Sequence, residues 1–278
     1  MKRVWMITGA SRGLGARIAA TVLAHGEALI ATARRRESLH QIPDTADTLK
    51  LSLDVTSDEQ STAAVRAALE QFGRIDVLIN NAGYGLLGAV EESSAEEVEA
   101  IYRTNVFGLL NVTRAALPAM RRQRSGHIIN MSSLGGYQAS PGWGVYGSTK
   151  FAVEGLSEAL HGEVGPLGIH VTVVEPGFFR TDFMDSSSLV RTGNQIEAYA
   201  ATLQKTRTFA DSHNGQQPGD PARLAAALFE LVNLPDPPLR LPLGPDAVRR
   251  IETKNAFVAE EIERWRWLSE STDLVSSD

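Results

Sequence analysis

Short, almost wholly apolar runs alternate along this chain with longer helix-compatible stretches, and that alternation leaves few folds open. VWMIT (4–8), ALIATA (28–33), LKLSLD (49–54), DVLIN (76–80), HIINMSS (127–133), HVTVVE (170–175) and LRLPL (239–243) read as strands. They are mostly apolar on both pleat faces, and strands buried on both faces belong to parallel sheets covered by helices. Between them lie GARIAATVLAHG, DEQSTAAVRAALEQFG, the long SAEEVEAIYRTNVFGLLNVTRAALPAMRRQ and FAVEGLSEALHGEV. Ser57 or Asp58 can cap the second stretch, and Ser93 or Ser94 the third. Repeated strand–helix–strand units with right-handed crossovers predict an α/β fold. The expected form is a single doubly wound domain, a parallel sheet of about seven strands with helices on both faces.

The first strand runs into Thr8-Gly9-Ala10-Ser11-Arg12-Gly13-Leu14-Gly15, and a helix follows. Glycines let a backbone turn sharply and approach a ligand closely. The helix N-terminus behind them offers unpaired N–H groups and a positive dipole end, a combination that suits a pyrophosphate. A P-loop is excluded, because no Lys-Ser or Lys-Thr follows the glycines. The G-x-G-x-x-G spacing fails too; what stands is T-G-x-x-x-G-x-G.

Composition closes off other classes. The net charge is -6 and the pI about 5.6, which argues against a nucleic-acid partner. Cysteine is absent, so thiol nucleophiles and thiolate metal sites are excluded. No apolar run approaches a membrane span, MKRVWMITGA is too short for a signal core, and the cytoplasm is the expected location. His161 and His170 have no partner in metal-ligand spacing, so no metal is expected.

The glycine spacing, together with Asn80-Asn81-Ala82-Gly83, Tyr146-x-x-x-Lys150 and Pro176-Gly177, resembles the short-chain dehydrogenase/reductase family. The resemblance runs from about residue 4 to about 245, with the motifs in the family's order. It is closest to the bacterial, NADP-preferring carbonyl-reductase type. It implies one Rossmann-type catalytic domain over 1–245, with a substrate lid at about 181–220. The remaining residues, 246–278, form a helical extension on which Phe257, Val258, Ile262 and Trp265 share a face. That face packs on the same domain, contacts an oligomer partner or covers a neighbouring pocket.

Residues four apart on a helix share a face, so Tyr146 and Lys150 can reach one site. A cation nearby favours phenolate, which predicts a lowered tyrosine pKa and a general acid for carbonyl reduction, or a base for alcohol oxidation. The resemblance further implies that Lys150 hydrogen-bonds the nicotinamide ribose. It also implies that Ser133 steadies the substrate oxygen and that Asn105 holds a water linking Lys150 to solvent. Read alone, Asn105 is a capping or helix-breaking residue. Catalytic residues are thus Asn105, Ser133, Tyr146 and Lys150. Gly9, Ser11, Arg12, Gly13, Leu14, Gly15, Asp54, Val55, Asn81, Phe179 and Thr181 join Tyr146 and Lys150 at the cofactor. Asn81 has a turn role as its alternative.

The second strand ends in Thr32-Ala33-Arg34-Arg35, where NAD-dependent relatives carry an acidic residue for the ribose 2′-OH. Arg34, supported by Arg12, would instead pair with a 2′-phosphate, predicting NADP(H). Ser133, Gln138, Trp143, Tyr146 and Phe183 are the expected substrate residues, and Phe178 and Met184 join them on an apolar rim. The expected substrate is a neutral, apolar ketone or aldehyde, or the matching secondary alcohol. The expected assembly is a homodimer or homotetramer through the helix before the Ser133 strand and the helix carrying Tyr146. The competing readings are a dinucleotide sensor without turnover, which would not need the Tyr/Lys pair, and an extended-type sugar-nucleotide enzyme, which would carry a large C-terminal domain.

Overall fold

The computed structural model describes residues 2–274. In chain order it holds β1 (Val4–Ile7), α1 (Gly13–Ala24), β2 (Ala28–Ala33), β3 (Thr48–Ser52), α2 (Asp58–Phe72), β4 (Val77–Asn80), β5 (Gly85–Leu87), α3 (Ala95–Tyr102) and α4 (Leu109–Gln123). There follow β6 (Gly126–Met131), α5 (Gly144–Val164), β7 (Ile169–Pro176), β8 (Leu189–Arg191), α6 (Ala200–Ser212), α7 (Pro221–Asn233), β9 (Arg240–Leu243) and α8 (Pro245–Ser269). Seven strands form one parallel sheet in the order β3-β2-β1-β4-β6-β7-β9. The order reverses between β1 and β4, and in such sheets ligands lie outside the strand carboxyl ends at that switch point.

Alternation along the strands sorts the core into two layers. Trp5 and Ile7 of β1 face Ile18, Val22, Leu224, Leu228 and Leu231 from α1 and α7. Val4 and Met6 face Val65, Ala68, Val112, Ala116 and Met120 from α2 and α4 on the opposite side. A strand that is buried on both faces cannot afford polar alternation, which is why these strands read as unbroken apolar runs. Helix starts follow the sequence: Ser57 accepts from Gln60 N, and Ser94 forms a capping box with Glu97.

Three departures matter for the site. The long third helical stretch is interrupted by a π-helical turn, Arg103–Gly108, with Asn105 inside it. Such turns widen a helix by one residue and are frequent at functional sites. A second sheet, missed in the sequence, pairs β5 with β8 through Gly85–Leu189 and Leu87–Arg191. These strands are too short and irregular to carry a periodic signal. Finally, α8 leaves the domain after its first turns. Residues 255–274 are exposed throughout, including Phe257 at 50%, Ile262 at 55% and Trp265 at 46%. The apolar stripe of the extension therefore does not pack on its own domain.

Candidate active site

The glycine turn adopts the backbone its residues permit. Gly9 and Gly13 have φ values of +67° and +56°, in the region that excludes most side chains. A Cβ on Gly15 would lie 2.3 Å from the Gly9 carbonyl oxygen. Gly15 is thus required for the turn's closure, and it does not line the cleft. Asn81 holds the turn from across the sheet: its Nδ2 donates to the carbonyls of Thr8 (2.9 Å) and Gly9 (3.1 Å). Thr8 Oγ1 returns the favour by accepting from the backbone N–H groups of Asn81 and Ala82, both at 3.0 Å. Asn81 also lines the cleft, so the residue that fixes the turn is also exposed to whatever binds there.

A cleft of about 720 Å³ runs from this turn along the strand ends. Gly9, Ser11, Arg12, Gly13 and Leu14 line it with Arg34, Asp54 and Val55, and so do Ser133, Tyr146, Lys150, Phe179, Thr181 and Phe183; Thr181 lies beside Gly13 of the turn. The turn, the basic pair Arg34/Arg35 and the length of the cleft fit an extended dinucleotide. Gln138 and Trp143 do not line it. Trp143 packs edge-on against the Tyr146 ring at 5.7 Å, so it shapes the site from behind. Gln138 turns its carbonyl oxygen into the protein, because Leu134–Gly136 form a 3₁₀ turn that redirects the chain after Ser133. Strand β6 itself stops at Met131, two residues short of the sequence expectation.

Ser133 caps that turn, accepting from Gly135 N at 3.0 Å. Tyr146 and Lys150, both buried, project from α5 into the same space. Lys150 Nζ donates to the Met131 carbonyl at 2.8 Å and stands 5.9 Å from the centre of the Tyr146 ring. The expected lowering of the phenol pKa is not what the chain alone produces. Burial pushes the Tyr146 phenol up to about 12, and Ser133 draws it back only partly. Burial also pushes Lys150 down to about 8, against the pull of Glu154. The ammonium is spent on a backbone carbonyl and is itself destabilised, so desolvation wins over charge attraction.

Asn105 is not on the cleft wall. Its Oδ1 accepts from Tyr84 N (3.1 Å), and its Nδ2 donates to Tyr84 O (3.0 Å) and Thr149 Oγ1 (3.1 Å). Both side-chain polar atoms are engaged in tying the loop after β4 to α5, so a water held by this side chain finds no free donor. The sequence reading missed Tyr84 and Arg103, which also line the cleft. Arg34 lies close enough to Tyr84 to lower its phenol against the larger effect of burial, which raises it. Tyr84 follows N-N-A-G directly, and that position was the available signal.

Residues 3–191 match the family model described as short chain dehydrogenase. The chain belongs to the short-chain dehydrogenase/reductase family. It is 39% identical over 246 residues to a 3-ketodihydrosphingosine reductase of Bacteroides thetaiotaomicron, covering 87% of this chain and 88% of that one. Its fold is similar to a short-chain dehydrogenase from Streptomyces avermitilis, with a TM-score of 0.91, 40% identity and 98% of each chain covered. A second family member, from Burkholderia phymatum, was solved in complex with NAD; it is 25% identical, with a TM-score of 0.81 and coverage of 94% of this chain and 95% of that one. The Streptomyces likeness spans the full length, so this short-chain dehydrogenase shares its C-terminal extension with at least one relative.

Proposed function

We propose that this oxidoreductase is an NADP(H)-dependent reductase of neutral, apolar ketones or aldehydes, acting in the cytoplasm and working in reverse on the secondary alcohols. The observation that carries the proposal is convergence: Ser133, Tyr146 and Lys150 line the same cleft as the glycine turn and the pair Arg34 and Arg35. A nicotinamide dinucleotide bound there supplies the hydride. The chain's own residues do the rest. The N–H groups at the start of α1 receive the pyrophosphate, as helix N-termini do for anions. Ser133 and Tyr146 present two hydroxyls to one carbonyl oxygen, polarising it as negative charge develops. Tyr146 then gives its proton to that oxygen. A phenol held near 12 is protonated at neutral pH, which is the form a general acid needs. Lys150, cationic below about 8, stabilises the phenolate left behind.

Arg34 and Arg35 support the 2′-phosphate form of the cofactor, since both are exposed at the cleft and no acidic side chain ends β2. The NAD-bound relative does not carry over on this point, because cofactor choice rests on individual side chains. Tyr84, Phe178, Phe183, Met184 and Val190 line the cleft and favour an apolar substrate; Phe183 lies 5.7 Å from the Tyr146 ring. The Bacteroides relative is named a 3-ketodihydrosphingosine reductase, which supports a ketone as the reacting group. A panel of ketones, aldehydes and 3-oxoacyl thioesters, followed by loss of reduced-nicotinamide absorbance, tests the proposal. Turnover of apolar ketones with NADPH is expected; NADPH binding with no turnover across the panel would leave a dinucleotide sensor instead.

A further inference from the structure

Behind the catalytic pair lies a buried acidic cluster that the mechanism above does not use. Glu154 sits one helical turn after Lys150 on α5, and Glu175 stands near the carboxyl end of β7, just before Pro176 and Gly177 of the cleft wall. Both are buried, at 6% and 1% exposure. The one cation between them is Arg240 of β9. Its Nε lies 3.3 Å from Glu154 Oε2 but 3.9 Å from Glu175 Oε1, and its Nη2 is spent at 2.5 Å on the more exposed Glu158. The Glu175 oxygens find no donor among the described residues. Ser132, directly after β6, is the other polar group that acts on Glu154.

Two buried carboxylates beside one shared guanidinium cannot both ionise cheaply. Burial and the neighbouring Glu154 push Glu175 up to about 8, so it keeps its proton at neutral pH. Burial raises Glu154 too, but Ser132 and the closer approach of Arg240 pull against it, so of the two carboxyls Glu154 is the one that carries the charge. With Glu175 protonated, Lys150, Arg240, Glu154 and Glu158 balance; with it ionised, a net negative charge would be buried.

We propose that Glu154 is a positioning residue for the reaction: its carboxylate, sharing one proton with Glu175, holds Lys150 in the ammonium form. The assignment rests on reading Lys150 and Tyr146 as catalytic. The sign follows from charge. Removing the Glu154 anion disfavours the ammonium, so the Lys150 midpoint falls. Replacing a protonated Glu175 with an amide changes no charge, so it leaves the midpoint alone.

The test reads Lys150 directly and needs no turnover. Protein labelled with ¹³Cε-lysine is titrated by NMR, with the Lys150 signal assigned by its loss in Lys150→Met. Glu154→Gln is expected to lower the Lys150 midpoint by roughly one pH unit, about tenfold in protonation equilibrium, while Glu175→Gln leaves it in place. An unmoved midpoint in Glu154→Gln, or an equal shift in Glu175→Gln, overturns the proposal. The alkaline limb of kcat/KM for carbonyl reduction should move down with the midpoint in Glu154→Gln. If the NMR midpoint moves and the limb does not, the catalytic reading of Lys150 fails while the electrostatic coupling stands. Should Glu154→Gln not fold, infrared difference spectra of the wild type decide. A protonated-carboxyl stretch at neutral pH that vanishes in Glu175→Gln supports the shared proton, and its absence from the wild type overturns it.

Discussion

In the proposed reaction Tyr146 gives up a proton from a site whose burial makes its phenolate costly, and that tension defines what single substitutions should do. Tyr146→Phe keeps the ring packed against Trp143 and Phe183 while removing the donor. Turnover is expected to fall by at least ~100-fold with NADPH binding intact; steady-state rates beside fluorescence titration of the nucleotide check both halves. The pH dependence follows from the same side chains. Lys150 is cationic below about 8, so reduction should hold a plateau at lower pH and decline as pH rises through that value. A decline beginning well below neutrality would point to another group. Cofactor choice, on the function proposed above, turns on Arg34 rather than on the residues that do the chemistry. Arg34→Asp places a carboxylate where a 2′-phosphate would sit, and should shift the kcat/KM ratio from NADPH towards NADH by at least ~10-fold, the worth of about one charge-assisted hydrogen bond. Arg12 should matter less, because its guanidinium already donates to the Ser187 carbonyl. At this scale the sequence was most informative about residues whose spacing carries chemistry, such as Tyr146 and Lys150. Glu154 was legible in principle as a lone charge in FAVEGL. Glu175 and Arg240 come from different strands, and only the sheet brings them to it.

The segment from β8 to α6 is held at one point of unusual density. Glu92, on the loop between β5 and α3, is buried at 2% exposure. Its carboxylate accepts from Ala89 N (2.8 Å), from Ile196 N (2.9 Å) and from Arg207 Nη2 of α6 (2.7 Å). Burial raises its pKa, but these donors outweigh it and hold Glu92 below the usual range. A lowered folded-state pKa gives stability that is present above the unfolded value of 4.5 and is lost as pH falls through the folded one. Glu92→Ala should therefore loosen 189–212 at neutral pH, costing about 3 kcal/mol locally because Arg207 and two backbone donors lose their partner. Hydrogen exchange is expected to rise in β8 and α6 but not in β1 or β4, with KM for the ketone increasing more than kcat falls. Uniform exchange across the sheet would mean that Glu92 supports the whole fold instead. None of this was visible in the sequence. The elements of the sheet announce themselves by periodicity, whereas β5, β8 and the π turn at Asn105 are set by tertiary pairing.

The whole molecule leaves apolar surface that its own core does not use. Phe107, in the π turn preceding α4, is 52% exposed, and Phe151 on α5 is 44% exposed. Both lie on the two helices that the sequence assigned to a subunit contact, and α5 carries more apolar side chains than one buried face requires. Exposed aromatics on adjacent helices mark association surfaces more often than scattered aliphatic residues do. A symmetric arrangement would place each helix against its own copy, since a two-fold interface reuses one patch on both subunits. The extension α8 belongs to the same question, because beyond Asn255, whose Oδ1 accepts from the Tyr137 hydroxyl at 2.6 Å, its apolar side chains stay exposed. A chain ending at residue 255 should keep the thermal midpoint of a domain whose core is complete without it, within about 2 °C, the spread of a surface change. Phe107→Glu with Phe151→Glu should act differently, placing two pairs of like charges across the two-fold axis. Light scattering at micromolar concentration is expected to show a dimer or tetramer for the unaltered chain and a monomer near 30.1 kDa for the double variant. A wild-type monomer would remove the assembly altogether. An unchanged oligomer in the double variant would move the contact to the aromatic stripe of α8.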